Sequence, residues 1–71
     1  MKLTVDRSAD AAYINLNEEN ISVAKTYPCD PSEVNGMINL DFDSEGHLVG
    51  IEILDASKKL NKKILDNAEL I

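Results

Sequence analysis

The stretch Ile38-Asn39-Leu40-Asp41-Phe42-Asp43-Ser44-Glu45-Gly46-His47-Leu48-Val49-Gly50-Ile51-Glu52-Ile53-Leu54 decides the architecture of this 71-residue chain. Ile38, Leu40 and Phe42 alternate with Asn39, Asp41 and Asp43, and Val49, Ile51 and Ile53 alternate with Gly50, Glu52 and Leu54. Two-residue alternation marks a strand with one buried face. Between the two runs, Asp43-Ser44-Glu45-Gly46 has Asp first and Gly last, as a type I turn closed by a left-handed residue requires. A four-residue loop pairs Leu40 with Val49 and Ile38 with Ile51. Both apolar sets then share a face, which a one-residue slip would undo.

The same reading extends in both directions. Leu3 and Val5, then Ala12, Ile14 and Leu16, then Ile21 and Val23, alternate with polar or small neighbours. A turn at Arg7-Ser8-Ala9-Asp10 pairs Val5 with Ala12, and one at Asn17-Glu18-Glu19-Asn20 pairs Leu16 with Ile21 and Ile14 with Val23. The predicted fold is α+β: a single five-stranded antiparallel β-meander over residues 1–57, with one C-terminal α-helix over 58–71 packed on its apolar face, all in one domain. Ser57 is the predicted N-cap of that helix. Its stripe is Leu60, Ile64, Ala68 and Ile71, with Leu65 at the edge. The segment from Pro28 to Gly36 reads as a loop holding one helical turn, with Asp30 as cap and Pro31 in the first position.

Composition narrows the function. With no Trp, one Phe and two Tyr, the core is aliphatic and thin. Three basic side chains stand against eleven acidic ones in residues 1–57, while residues 58–71 carry four lysines against two acids. An acidic body with a weakly basic tail disfavours nucleic acid and favours contact between body and tail, within one chain or between two. No apolar run reaches the roughly 18 residues of a membrane span, and no signal-peptide pattern is visible. A single cysteine suits a reducing, cytoplasmic setting.

Three constellations carry conceivable chemistry. Asp41, Asp43, Glu45, Gly46 and Glu52 match the spacing of a calcium-binding EF-hand loop. Their flanks alternate as strands, however, and put Glu52 roughly 7–14 Å along the strand from the point opposite Asp41. Calcium oxygens must gather within about 2.6 Å of one ion. Asp6, Asp41, Asp43 and Glu52 also gather around Tyr13 on the expected outer face, an alternative divalent-metal or small-ligand site. Tyr13, Leu48 and Leu54 share that face as a candidate interaction surface. Cys29 and His47 fall in separate turns, so no nucleophilic pair is expected.

Two stretches resemble a known family. Val5-Asp6-Arg7-Ser8-Ala9-Asp10-Ala11-Ala12-Tyr13-Ile14-Asn15-Leu16, and the run from Leu40 to Ser57 with Gly50-Ile51-Glu52-Ile53-Leu54 at its centre, are similar to the small prokaryotic family catalogued as domain of unknown function 2283. Val5 stands where that family usually has an aromatic, and Ala12 where it has a larger residue. The resemblance implies no catalytic residues. It does imply an association with neighbouring toxin-like proteins, and hence an antitoxin-type role toward a basic partner. The expected function is that of a non-enzymatic cytoplasmic protein-interaction module, self-associating as a homodimer or binding another protein. No cofactor, nucleic acid or membrane is expected to take part.

Overall fold

The computed structural model describes residues 1–17 and 21–71 and builds them into one mixed six-stranded sheet with three short helices. In chain order these are β1 (Lys2–Asp6), β2 (Ala11–Asn15), β3 (Lys25–Pro28), α1 (Pro31–Val34), β4 (Ile38–Phe42), β5 (Leu48–Leu54), α2 (Ala56–Lys59), α3 (Lys62–Asp66) and β6 (Glu69–Leu70). The α+β class holds. The meander does not: the strand order is β3-β4-β5-β2-β1-β6.

The first hairpin forms as its parity requires, with Val5 opposite Ala12 and Leu3 opposite Ile14. β2 then pairs with β5, setting Ile14 against Ile51 and Ala12 against Ile53, so both of its edges are taken. The expected pairing of Ile14 with Val23 is therefore overturned. Ile21 to Ala24 form no strand, β3 begins at Lys25, and its partner is β4. Of the loop expected between these strands, Glu18, Glu19 and Asn20 lie outside the described residues. Alternation fixes which face a strand buries but not which strand lies beside it. A central place suits β5, whose Val49, Ile51, Ile53 and Leu54 can be covered from both sides.

The decisive hairpin forms with a shifted register. Asp43 N–H donates to His47 O at 2.9 Å, which closes a three-residue loop, and Gly46 has φ +86°. A loop of that length would swap the faces. The register steps between Asp41, opposite Gly50, and Phe42, opposite Leu48, leaving Val49 as an extra bulged residue. The bulge restores the lost parity, so Leu40 meets Ile51 and Ile38 meets Ile53, two residues from the expected partners and on the expected face.

The long C-terminal helix is also overturned. The chain leaves helical geometry at Leu60 (φ −106°, ψ 140°) and restarts at Asn61, whose side chain accepts from Ile64 N–H. Asparagine caps helices better than it continues them. The first-turn lysines also oppose the dipole of a single long helix. After α3 the chain gains more by covering the open edge of β1, and Thr4 and Val5 pair in parallel with Glu69 and Leu70. The restart rotates the stripe: Leu60, Leu65 and Ala68 pack inward while Ile64 and Ile71 are exposed.

Ser57 is not the N-cap of α2. That position is Asp55, which makes no side-chain cap bond. The capping comes from a distant turn instead. Asp10 accepts Ala56 N–H at its backbone oxygen (2.9 Å), Ser57 N–H at Oδ1 (2.9 Å) and the Ser57 hydroxyl at Oδ2 (2.7 Å). At the other end of α2, Lys59 donates to the carbonyls of Val34 and Asn35, which end α1. α1 forms as the sequence requires, with Asp30 accepting from Ser32 N–H and Pro31 in its first turn. Held at both ends, α2 sets Ala56, fully buried, on Val5, Ala12 and Ile53. With Val49 these are the only buried hydrophobics among the described residues. Such a core supplies roughly 3–5 kcal/mol.

Nothing lies within 4 Å of a Cβ added at Gly46, so its substitution tests backbone conformation alone. Gly46→Ala should cost about 1 kcal/mol in urea denaturation, through the left-handed φ.

Candidate functional site

Register and alternation sort the strand side chains onto two faces. The apolar face carries Leu3, Val5, Ala12, Ile14, Tyr27, Ile38, Leu40, Phe42, Ile51 and Ile53, with Lys25 as its one charged strand residue. Among the described residues the four acids borne by strands, Asp6, Asp41, Glu52 and Glu69, fall on the outer face with Tyr13 and Leu54. Charge and hydrophobicity are thus segregated across one sheet.

Among the expected ligands, Asp41 is the most enclosed, with 9% of its surface exposed. The Tyr13 hydroxyl donates to its Oδ2 at 2.9 Å and the Thr26 hydroxyl to its Oδ1 at 2.7 Å. Tyr13 reaches it diagonally across β5 by lying over Gly50, where a Cβ would overlap the phenol ring and hydroxyl. Partial burial, then the hydrogen bond and negative charge of Asp41, push the Tyr13 hydroxyl up to about 12. The carboxylate is therefore held by two hydroxyls from strands that are not neighbours. Tyr13, Gly50, Asp41 and Thr26 tie β2, β5, β4 and β3 into one outer-face network.

The other acids have separate partners. Glu52 accepts from Asn39 Nδ2 at 2.9 Å. Asp43 sits in the hairpin turn and accepts Glu45 N–H and His47 N–H, both at 2.9 Å, with His47 Nδ1 at 3.4 Å from its second oxygen. The His47 backbone bond leads in holding the Asp43 carboxyl below its usual value. Asp6 closes the first turn by accepting the Ser8 hydroxyl and the N–H groups of Ser8 and Ala9. The hydroxyl contributes most to lowering its pKa. Asp41, Asp43 and Glu52 are not brought to one point. Among the described residues no group of three or more His, Cys, Asp or Glu side chains could hold a metal ion.

The expected interaction surface divides. Tyr13 and Leu54 do share an outer-face hollow with Thr4, Asp6, Glu52 and Ile71. Leu48 leaves them, because the bulge sets it opposite Phe42, on the apolar side. Cys29 and His47 lie at opposite ends of β4, since Cys29 N–H donates to Ile38 O and His47 O accepts from Asp43 N–H.

Composition and motif reading missed the bare part of the apolar face. α2 and α3 cover only the end of the sheet formed by Val5, Ala12 and Ile53. At the other end Tyr27 is 56% and Leu48 38% exposed, while Leu40 and Phe42 are half-buried. Tyr27, Phe42, Lys25, Ala24 and the β4–β5 turn line a groove of about 540 Å³ there. Lys25 lies over the Tyr27 ring, 5.6 Å from its centroid. Tyr27 gave no warning in the sequence, because the run before it reads as the strand and stops short of it.

A family model described as "Protein of unknown function (DUF2283)" matches residues 2–57. The matched region runs from the start of β1 to Ser57, and so contains both the Tyr13–Asp41 network and the Asp10–Ser57 clamp. No curated protein and no solved structure matches the chain. No helix among the described residues is long and apolar enough to cross a membrane.

Tyr13→Phe removes a donor from an enclosed carboxylate and should lower stability by roughly 1–3 kcal/mol. Gly50→Ala should cost at least as much, because the new methyl group displaces the ring as well as breaking the bond. Urea melts of the two variants and their double mutant check this: the double should be no worse than Gly50→Ala by more than a few tenths of a kcal/mol.

Proposed function

The chain belongs to the DUF2283 family, and on that premise we propose that it is a protein-interaction module working through the bare half of its apolar sheet face. The observation that carries this reading is the mismatch between apolar surface and cover. Six strands present one continuous apolar face, and two helices of four and five residues cover one end of it. Contiguous apolar surface of this kind marks partner sites. Tyr27 and Phe42 supply the aromatic anchors that interfaces favour.

The sheet edges are weaker candidates. β3 forms one edge of the sheet, and Cys29 N–H points inward to Ile38 O. Its neighbour Pro28 therefore faces the open side with no N–H to offer, which blunts pairing with another strand. The opposite edge, β6, is two residues long. A basic, toxin-like partner would look for acids on the outer face, where Asp41 and Glu52 already accept bonds from Tyr13, Thr26 and Asn39. The bare end of the apolar face leaves Tyr27 and Leu48 exposed instead.

The test is chemical cross-linking in cells that express the tagged chain, comparing wild type with Tyr27→Lys/Leu48→Lys. Both positions are exposed, so the variant should keep the wild-type circular dichroism. A specific protein adduct, to itself or to another protein, should form with wild type and be lost with the variant. No adduct, or one indifferent to the substitutions, would overturn the reading.

A further inference from the structure

Resting on that reading, we infer that the occupant of the bare half-face is a second copy of this chain, seated so that the α2–α3 end of each copy covers the bare end of the other. Three features lead there. The first is a step in the surface. α2 and α3 stand on the end of the apolar face that holds Val5, Ala12 and Ile53, while Phe42, Leu48, Tyr27 and Lys25 lie at the opposite end. A raised end beside a bare end on one face is self-complementary under a two-fold axis, the operator that relates most soluble homodimers.

The second feature is charge. Two copies meeting through their outer faces would bring Asp6, Asp41, Glu52 and Glu69 against the same four acids. Among the described residues the apolar faces carry no strand acid. In the proposed seating, exposed Lys58 and Lys63 of one copy approach the turn that bounds the bare end of the other, where Asp43 and Glu45 lie. The basic tail thereby meets the acidic body in reciprocal fashion, and opposite charges across a rim favour one orientation over others.

The third feature is area. The molecule measures 34 × 29 × 19 Å, so the whole face offers roughly the 800 Å² per partner of a standard interface. With the helix-bearing end of each copy on the bare end of the other, most of that face is used. Contact over the bare ends alone would fall short of it.

Sedimentation equilibrium of the intact chain from low to high micromolar concentration tests the inference, with circular dichroism of every sample. Wild type should pass from monomer to dimer across the range. Tyr27→Lys should weaken the dimer by about tenfold or more, equivalent to roughly 1.4 kcal/mol. Lys63→Glu, an exposed change on α3 far from the bare end, should weaken it by a smaller factor that vanishes at high salt. Glu45→Lys combined with Lys63→Glu should restore part of the loss. A strict monomer would overturn self-association, and a dimer indifferent to Tyr27→Lys and Lys63→Glu would overturn this seating. A monomer that still cross-links to a different protein through Tyr27 and Leu48 would overturn the second copy while leaving the interaction-module reading standing.

Discussion

One hydroxyl group organises the outer face of this sheet. Tyr13, on β2, lies across Gly50 of β5 and donates to Asp41 of β4, which also accepts from Thr26 of β3. Each bond alone is worth about 1 kcal/mol net, but the carboxylate they share is nearly enclosed, and losing either leaves it short of a partner. The network accounts for three choices at once: a residue without Cβ at position 50, an acid on the exposed side of a central strand, and β2 placed beside β5. Where the core among the described residues is five small or medium side chains, such a cross-strand tie adds specificity that packing alone would not give.

Closing the outer face in this way leaves the opposite one as the apolar face of the sheet, bare at one end. Among the described residues the apolar face holds no strand acid, and its cover is anchored rather than extended. Asp10 grips the start of α2 and Lys59 fixes its end to α1. This short helix is held at its start by the Asp10 carboxylate and at its end by its own Lys59 bonding the carbonyls that end α1, so it needs no length of its own to persist. The break at Asn61 and the return of Glu69 and Leu70 to β1 stop the cover halfway.

The faces of the sheet were legible in the sequence because side-chain alternation is a local property. Val5 opposite Ala12, the helical turn after Asp30, and the left-handed Gly46 all follow from neighbours within a few residues. Neighbouring strands were not legible, since any two one-sided strands satisfy each other's pattern, and β2 found β5 rather than the run at Ile21. The register of the main hairpin depended on two compensating irregularities, the three-residue loop and the bulge at Val49, whose sum leaves the pattern unchanged. Tyr13 and Asp41 stood out as chemistry-bearing residues. Their role was hidden because it runs diagonally between strands 28 residues apart, over a glycine that reads as an ordinary break in alternation.

The most direct test of the Tyr13–Asp41 tie is the ultraviolet titration of Tyr13 in a Tyr27→Phe background, where it is the only tyrosine left. Its hydroxyl, raised to about 12 in the folded chain, stands above the ordinary value of about 10. The stability contributed by the neutral form is thus complete below pH 10 and lost as pH rises toward 12. Phenolate absorbance should appear only near pH 12, or together with loss of the native circular dichroism. A midpoint near 10 with the native spectrum intact would mean that Tyr13 is free in solution, and that the outer face is not closed by the bond across Gly50.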